Sequence, residues 1–274
     1  MLKSIDHVIA PLFVPADRPE RFGKACRAGA DAVILDLEDA VSPDRKDAAR
    51  GAVLSHGIDS LPVIIRINGV ESDDFDADIG LLQDADFDAI MLAKVKSPDD
   101  ILVLKRRIPG NYPVVALIES AAGVRALEKI LTIDSVKRIA FGAFDFALDI
   151  GCQPVANALL FARSQLVLLS RVAGRPGPWD SPATEISDVE AIAESAADSA
   201  MMGFGGKLAI HPGQLSAIFN AFCPDDDTID WARAVLETTR RAGSGAKTLH
   251  GQMIDKPLIE RARRILQVAG SADL

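Results

Sequence analysis

Apolar runs in this chain end, again and again, in charged or polar residues, and that repetition restricts the folds open to it. Residues 32–35 lead into Asp36, Leu37, Glu38 and Asp39. Residues 62–67 carry Arg66 and run into Asn68, residues 114–118 meet Glu119, and residues 139–141 lead through Gly142, Ala143 and Phe144 to Asp145. A continuous apolar run marks a parallel strand buried on both faces. Carboxylates at its end are costly unless a cation or hydrogen bonds compensate them. Polar residues stacked at one end of successive strands fit a TIM (β/α)8 barrel, whose site gathers at the carboxyl-terminal mouth.

The rest of the chain is consistent with that architecture. Strand-like runs fall at 10–14, 32–37, 63–67, 89–94, 114–118, 138–141, 177–180 and 207–210, alternating with helical stretches. Such alternation argues for a parallel sheet and eight repeats argue for closure, in a chain of 274 residues that is an ordinary length for one barrel. Ser97 to Asp100 and Ser187 to Glu190 predict capping boxes at helix starts, and Gly174 and Gly203 sit where helices end. The seventh run, GRPGPWDSP, is rich in proline, which suits a central strand poorly. A doubly wound open sheet is therefore the alternative. Residues 1–222 are read as the barrel and 223–274 as a helical extension with helices over 229–242 and 256–269. The segment 243–253 is read as a flexible connection, and the extension as a lid over the mouth or a contact with a neighbouring subunit.

Composition excludes several classes. A chain 49% hydrophobic and 25% charged is globular. Its net charge of −9, without a basic cluster, argues against nucleic acid or an anionic membrane as a partner. Cys26, Cys152 and Cys223 are few and scattered, which fits reduced thiols in a cytoplasm better than a disulfide framework. The amino-terminal apolar stretch is interrupted by Asp6 and His7 and does not read as a signal peptide. The apolar region 155–172 contains Asn157, Arg163, Gln165 and Arg171, so it reads as a buried helix rather than a membrane span. The expectation is a cytoplasmic protein.

Glu119 and Asp145 end adjacent predicted strands. Two hard oxygen ligands without histidine or cysteine nearby suit Mg²⁺ or Mn²⁺; the other reading is that Glu119 opens a helix and Asp145 caps a turn. Arg66 would grip a substrate carboxylate by a two-pronged contact, or pair internally with Asp36, Glu38 or Asp39. Arg18, Arg21 and Lys24 would hold a polyanion at a helix start, or form a solvated face. Lys94 serves as a Schiff-base lysine only if its pKa is depressed. His211 ends the eighth run and either binds substrate or bonds a neighbouring loop. His7, His56, His211 and His250 lack metal-ligand spacing, and residues 203–207 lack the spacing of a phosphate loop.

The stretches LFVPADRPERF, AVILDLEDAV, VIIRING, MLAKVKS, ALIESAAGV, FGAFDFALDIG, GKLAIHPGQL and GQMID cover nearly the whole chain in order. Together they resemble the HpcH/HpaI aldolase and citrate lyase superfamily, in its citrate lyase β-subunit-like branch. The resemblance implies a barrel assembled as trimers or hexamers, with Mg²⁺ held at Glu119 and Asp145 and Arg66 gripping a 2-oxo acid. It places Arg18 and Lys24 against coenzyme A or substrate anions, and Glu38 and Asp39 among the substrate-binding residues. Asp255 would be an acid/base delivered from an adjacent subunit; two residues before Pro257, it is also a good helix N-cap. Relatives more often carry an acid at Phe144 and a proline at Ala93. The implied activity is Mg²⁺-dependent cleavage or formation of a 3-hydroxyacyl-CoA such as citryl-, malyl- or citramalyl-CoA. A free 2-oxo-acid aldolase and a non-catalytic subunit binding a CoA ester are the other readings.

Overall fold

Eight parallel strands pair in strict sequence order in the computed structural model, which describes residues 2–108, 110–241, 248–249 and 252–270. They are β1 (Pro11–Pro15), β2 (Ala32–Asp36), β3 (Val63–Ile67), β4 (Ala89–Leu92), β5 (Val114–Ile118), β6 (Val136–Phe141), β7 (Trp179–Asp180) and β8 (Gly206–Lys207). Helices α1 (Phe22–Arg27), α2 (Lys46–Leu54), α3 (Phe75–Leu82), α4 (Pro98–Arg107) and α5 (Ala121–Leu131) separate the first six strands. Next come α6 (Ala143–Ile150) and α7 (Ala156–Val172) before β7, α8 (Val189–Met202) before β8, and α9 (Leu215–Phe222) after it.

The ring closes between the last strand and the first. Lys207 N–H donates to the Ile9 carbonyl at 2.8 Å, Ala209 N–H to Pro11 at 3.0 Å, and Phe13 N–H to Ala209 at 2.8 Å. Leu12 and Ala209 thereby form a parallel bridge, so the open-sheet alternative is excluded. The proline-rich seventh run supplies a strand of only two residues, starting after Pro178.

Alternation decides which residues face inward. Ala32 and Ile34, Ile64, Val115 and Leu117, and Ala140 pack together inside the barrel with Met91, Trp179 and Leu208. Carrying the two-residue repeat toward the mouth puts Asp36, Arg66 and Glu119 on that same inner face. Carrying it the other way from Ala140 reaches Arg138, whose fully buried guanidinium closes the barrel floor. Its nitrogens donate to the carbonyls of Val8 (2.7 Å), Gly177 (2.9 Å) and Gly205 (2.9 Å), and it lies over the Trp179 ring.

The helix-start expectations hold at Ser97, where the capping box with Asp100 is complete. At α8 the cap is Asp188 rather than Ser187: its carboxylate accepts from the Ala191 N–H at 3.0 Å. Gly203 ends α8 in the left-handed conformation, φ 94°, which glycine adopts without penalty.

The chain divides into two compact units, Met1–Ile218 and Phe219–Leu274, four residues before the boundary read from sequence. In the second unit, α10 (Asp226–Arg241) and α11 (Lys256–Val268) pack through Ala232, Val235, Leu236, Ala262 and Leu266. Within the connection at 243–253, β9 (Thr248–Leu249) and β10 (Gln252–Met253) pair antiparallel; residues 243–247 and 250–251, including His250, lie outside the described residues. Among the described residues, no helix is long and apolar enough to cross a membrane.

Candidate active site

A cavity of about 210 Å³ opens at the barrel mouth, and Asp36, Arg66, Glu119, Asp145 and Ser181 line it. All but Asp145 reach it from the end of a strand or the residue just beyond. Asp36 and Arg66 pair across β2 and β3 in register. Arg66 Nε and Nη2 donate side-on to the two Asp36 oxygens, both at 2.6 Å, and Nη1 lies 3.1 Å from Glu38 Oε2. The guanidinium also covers the Phe13 ring at 4.7 Å. Burial opposes its charge, but Asp36 and then Glu38 outweigh burial and hold Arg66 protonated above its ordinary range. The internal ion pair read from sequence is therefore present, and it fixes the arginine at the cavity wall.

Glu119 follows β5 and is buried. Its Oε2 accepts from the Lys94 N–H at 2.7 Å. Burial, reinforced by the charge of Glu38, pushes its carboxyl up to about 8; the Lys94 N–H and Arg66 act in the opposite direction. Gly142 makes room for it, since a Cβ there would stand 2.5 Å from Oε1. Asp145 sits in the first turn of α6, not at a strand end, and caps no turn. It is half-buried and makes no hydrogen bond or ion pair among the described residues.

No three histidine, cysteine or acidic residues converge as a metal cage among the described residues. Two carboxylates on one cavity are the donor set of Mg²⁺, which is bound through one or two carboxylates and keeps its remaining positions for water and substrate oxygens. A buried carboxylate with a raised pKa and an unpaired one beside it are groups that a divalent cation would stabilise. The residues fit the ion.

Other candidates lie elsewhere. Glu38 and Asp39 line a separate cavity of about 530 Å³ with Lys46, Lys94 and Lys96. The lysines of that cavity are all engaged. Lys46 Nζ donates to the carbonyls of Leu37 and Glu38 and to Asn68, Lys94 pairs with Glu38 and Asp39, and Lys96 pairs with Glu71. Burial would lower the Lys94 pKa, yet Glu38 and Asp39 raise it above its ordinary value, which removes the Schiff-base option. Arg18, Arg21 and Lys24 are exposed and line neither cavity; Arg18 lies 3.8 Å from Asp17. Asp255 is exposed and caps α11, accepting from the Leu258 N–H at 2.9 Å. His211 Nδ1 accepts from the Gly213 N–H at 3.1 Å in a local cap.

Sequence reasoning passed over Gly142, Ser181 and Lys46. Ser181 follows β7 and obeys the rule that exposed Asp36 and Glu119, a polar residue just past a strand, but the short proline-flanked run hid it. Lys46 had no signal, because a lysine opening a helix reads as solvent-exposed.

The model of the HpcH/HpaI aldolase/citrate lyase family matches residues 10–212. The chain belongs to this family. As a member it is a carbon–carbon lyase, and its β-subunit-like relatives cover most of its length. A citrate lyase subunit beta-like protein of Mycobacterium tuberculosis is 35% identical over 268 residues, 95% of each chain. The L-malyl-CoA/beta-methylmalyl-CoA lyase of Rhodobacter capsulatus is 31% identical, covering 95% of this chain and 94% of its own. The crystal structure of the M. tuberculosis CitE protein in complex with magnesium, acetoacetate and coenzyme A superimposes with a TM-score of 0.86. It is 34% identical and covers 96% of this chain and 98% of its own. The family thus includes members with Mg²⁺ bound, in agreement with the donor set found here.

Proposed function

We propose that this lyase cleaves a 3-hydroxyacyl-CoA into an acyl-CoA and a 2-oxo acid, or runs the condensation, with Mg²⁺ held at Glu119 and Asp145. The observation that carries the reading is the shared cavity, in which these two carboxylates face the Arg66 guanidinium. The CoA and Mg²⁺ of the M. tuberculosis complex support it.

Arg66 holds the carboxylate of the oxo-acid half, and Asp36 and Glu38 hold Arg66 against rotation. When bound, Mg²⁺ supplies Lewis acidity to the oxygen that becomes the carbonyl. In cleavage, the hydroxyl proton leaves to a base and the C–C electron pair moves to the thioester α carbon as an enolate. A proton then returns to that carbon, so no oxidant or reductant is needed. Phe13, Leu117 and Phe141 line the cavity and shield the enolate from water. Asp255 is the assigned proton-transfer group; it reaches the mouth of an adjacent subunit in a trimer or hexamer. Arg18 and Lys24 are assigned to the CoA anions.

The test is incubation of purified protein and Mg²⁺ with citryl-, malyl- and citramalyl-CoA and with free hydroxy-oxo acids, following thioester and oxo-acid release. Cleavage of a thioester that stops in EDTA, and in Glu119→Ala or Asp145→Ala, supports the reading. Cleavage of free acids alone points to the aldolase, and binding without turnover to the non-catalytic subunit.

A further inference from the structure

The donors at the cavity limit which oxo acid it accepts. Arg66 is the only cation among its lining residues. A guanidinium has five N–H groups; that of Nε and one of Nη2 donate to Asp36, and Nη1 is ion-paired with Glu38 at 3.1 Å. Of the three that remain, those of Nη1 and Nη2 share a single edge, which fits one carboxylate side by side. The Ser181 hydroxyl is also committed, donating to the Phe141 carbonyl and accepting from the Ala143 N–H, both at 2.6 Å. Much of the remaining wall is Phe13, Leu117, Phe141, Phe144, Leu208 and Ile210, without a polar side-chain atom among them. A second substrate carboxylate would meet that apolar wall, since a Mg²⁺ at Glu119 and Asp145 would serve the 2-oxo end of the acid.

Resting on the lyase reading above, we infer that the 2-oxo acid is a monocarboxylate with a short apolar tail, of the pyruvate or 2-oxobutyrate type. We further infer that Phe144 is a specificity-determining residue. The matching thioester is then a citramalyl-CoA rather than a citryl-CoA. Phe144 stands next to Asp145 and is 44% exposed, so it lines the cavity from the solvent side, where a longer acid's second carboxylate would emerge.

Two measurements on the full chain test this. Calorimetry in Mg²⁺ compares pyruvate, 2-oxobutyrate and freshly dissolved oxaloacetate, the last two differing only in a terminal methyl or carboxylate. The expected result is tighter binding of both monocarboxylates by ~100-fold, the scale of leaving a charge unpaired. The ratio of kcat/KM for citramalyl-CoA over citryl-CoA should move the same way, and Phe144→Arg should narrow both preferences by at least ~10-fold. Equal or tighter binding of oxaloacetate overturns the inference and leaves the lyase reading standing. A monocarboxylate preference without cleavage of any thioester supports the cavity assignment and overturns the lyase reading. If the arginine variant does not fold, the wild-type ratios decide.

Discussion

The N–H of Lys94 donates to Glu119 Oε2 while its ammonium pairs with Glu38, so one residue ties a carboxylate of the proposed metal pair to the buttress of Arg66. Lys94 can do both because its backbone is left-handed, φ 55°, the one such non-glycine residue among those described. That conformation costs an L-residue about 1 kcal/mol or more, and glycine far less. Lys94→Ala and Lys94→Gly remove the same ammonium, so their difference isolates the backbone. The glycine variant is expected to be the more stable by roughly 1 kcal/mol in chemical denaturation. Equal stability would show that the left-handed turn is not strained.

Gly142 tests how tightly Glu119 is held. A Cβ at this position would stand 2.5 Å from Oε1 and 2.6 Å from Cγ, and the Lys94 N–H keeps the carboxylate from swinging away. Gly142→Ala should displace Glu119 and lower kcat/KM by ~100-fold, the usual penalty for an ångström of misplacement. Mg²⁺ binding by calorimetry should weaken in parallel, with the far-UV circular dichroism unchanged. Unaltered Mg²⁺ affinity would separate Glu119 from the ion.

How much of this was legible follows from what periodicity records. Asp36, Arg66 and Glu119 continue the inward-facing repeat of Ile34, Ile64 and Leu117, so a strand pattern alone brings them to one mouth. Arg138 continues the same repeat in the other direction, but only the fold shows the carbonyls of Val8, Gly177 and Gly205 that its guanidinium meets. Lys46 and Ser181 act on groups far away in sequence, on Asn68 and on the Phe141 carbonyl. No local pattern encodes such pairings. The barrel's closure was readable from eight repeats, whereas the shortness of β7 and β8 was not, because their pairing depends on β6 and β1 rather than on their own composition.

Arg66→Lys keeps the charge but loses the planar fork that meets Asp36 side-on, lies beside Glu38 and still offers an edge of free N–H groups. The KM for the oxo-acid-bearing substrate should rise at least ~10-fold, with a smaller change in kcat. Arg66→Ala leaves Asp36 buried without its cationic partner, while Glu38 keeps Lys94, and should destabilise the fold by roughly 3 kcal/mol. Steady-state kinetics on the first variant and denaturation of the second check the two effects separately. An unchanged KM in the lysine variant would count against Arg66 as the carboxylate clamp.

If Asp255 serves the site of a neighbouring copy, two inactive variants should rescue each other. Glu119→Ala and Asp255→Ala, mixed after reversible dissociation, form intact sites wherever a wild-type Asp255 meets a wild-type Glu119. Random assembly of equal amounts in a closed ring restores about a quarter of the sites. Activity that stays at the level of the separate variants would confine Asp255 to its role as the α11 cap.

The Glu119 carboxyl predicts a pH dependence with a definite sign. Burial and the charge of Glu38 push it up to about 8 from the 4.5 it has when unperturbed, against the Lys94 N–H and Arg66. Between those values the unfolded chain has lost this proton and the metal-free folded protein keeps it. Its contribution to stability is therefore complete below about 4.5 and is lost as pH rises through about 8. A cation at the same carboxylate must displace the proton, so apparent Mg²⁺ affinity should climb across that window and level off above it. Thermal unfolding in EDTA across the same range, wild type against Glu119→Gln, reads the first effect, and calorimetry in buffers of different ionisation heat reads the proton released. Identical pH slopes for the two proteins would mean that Glu119 does not carry the proton.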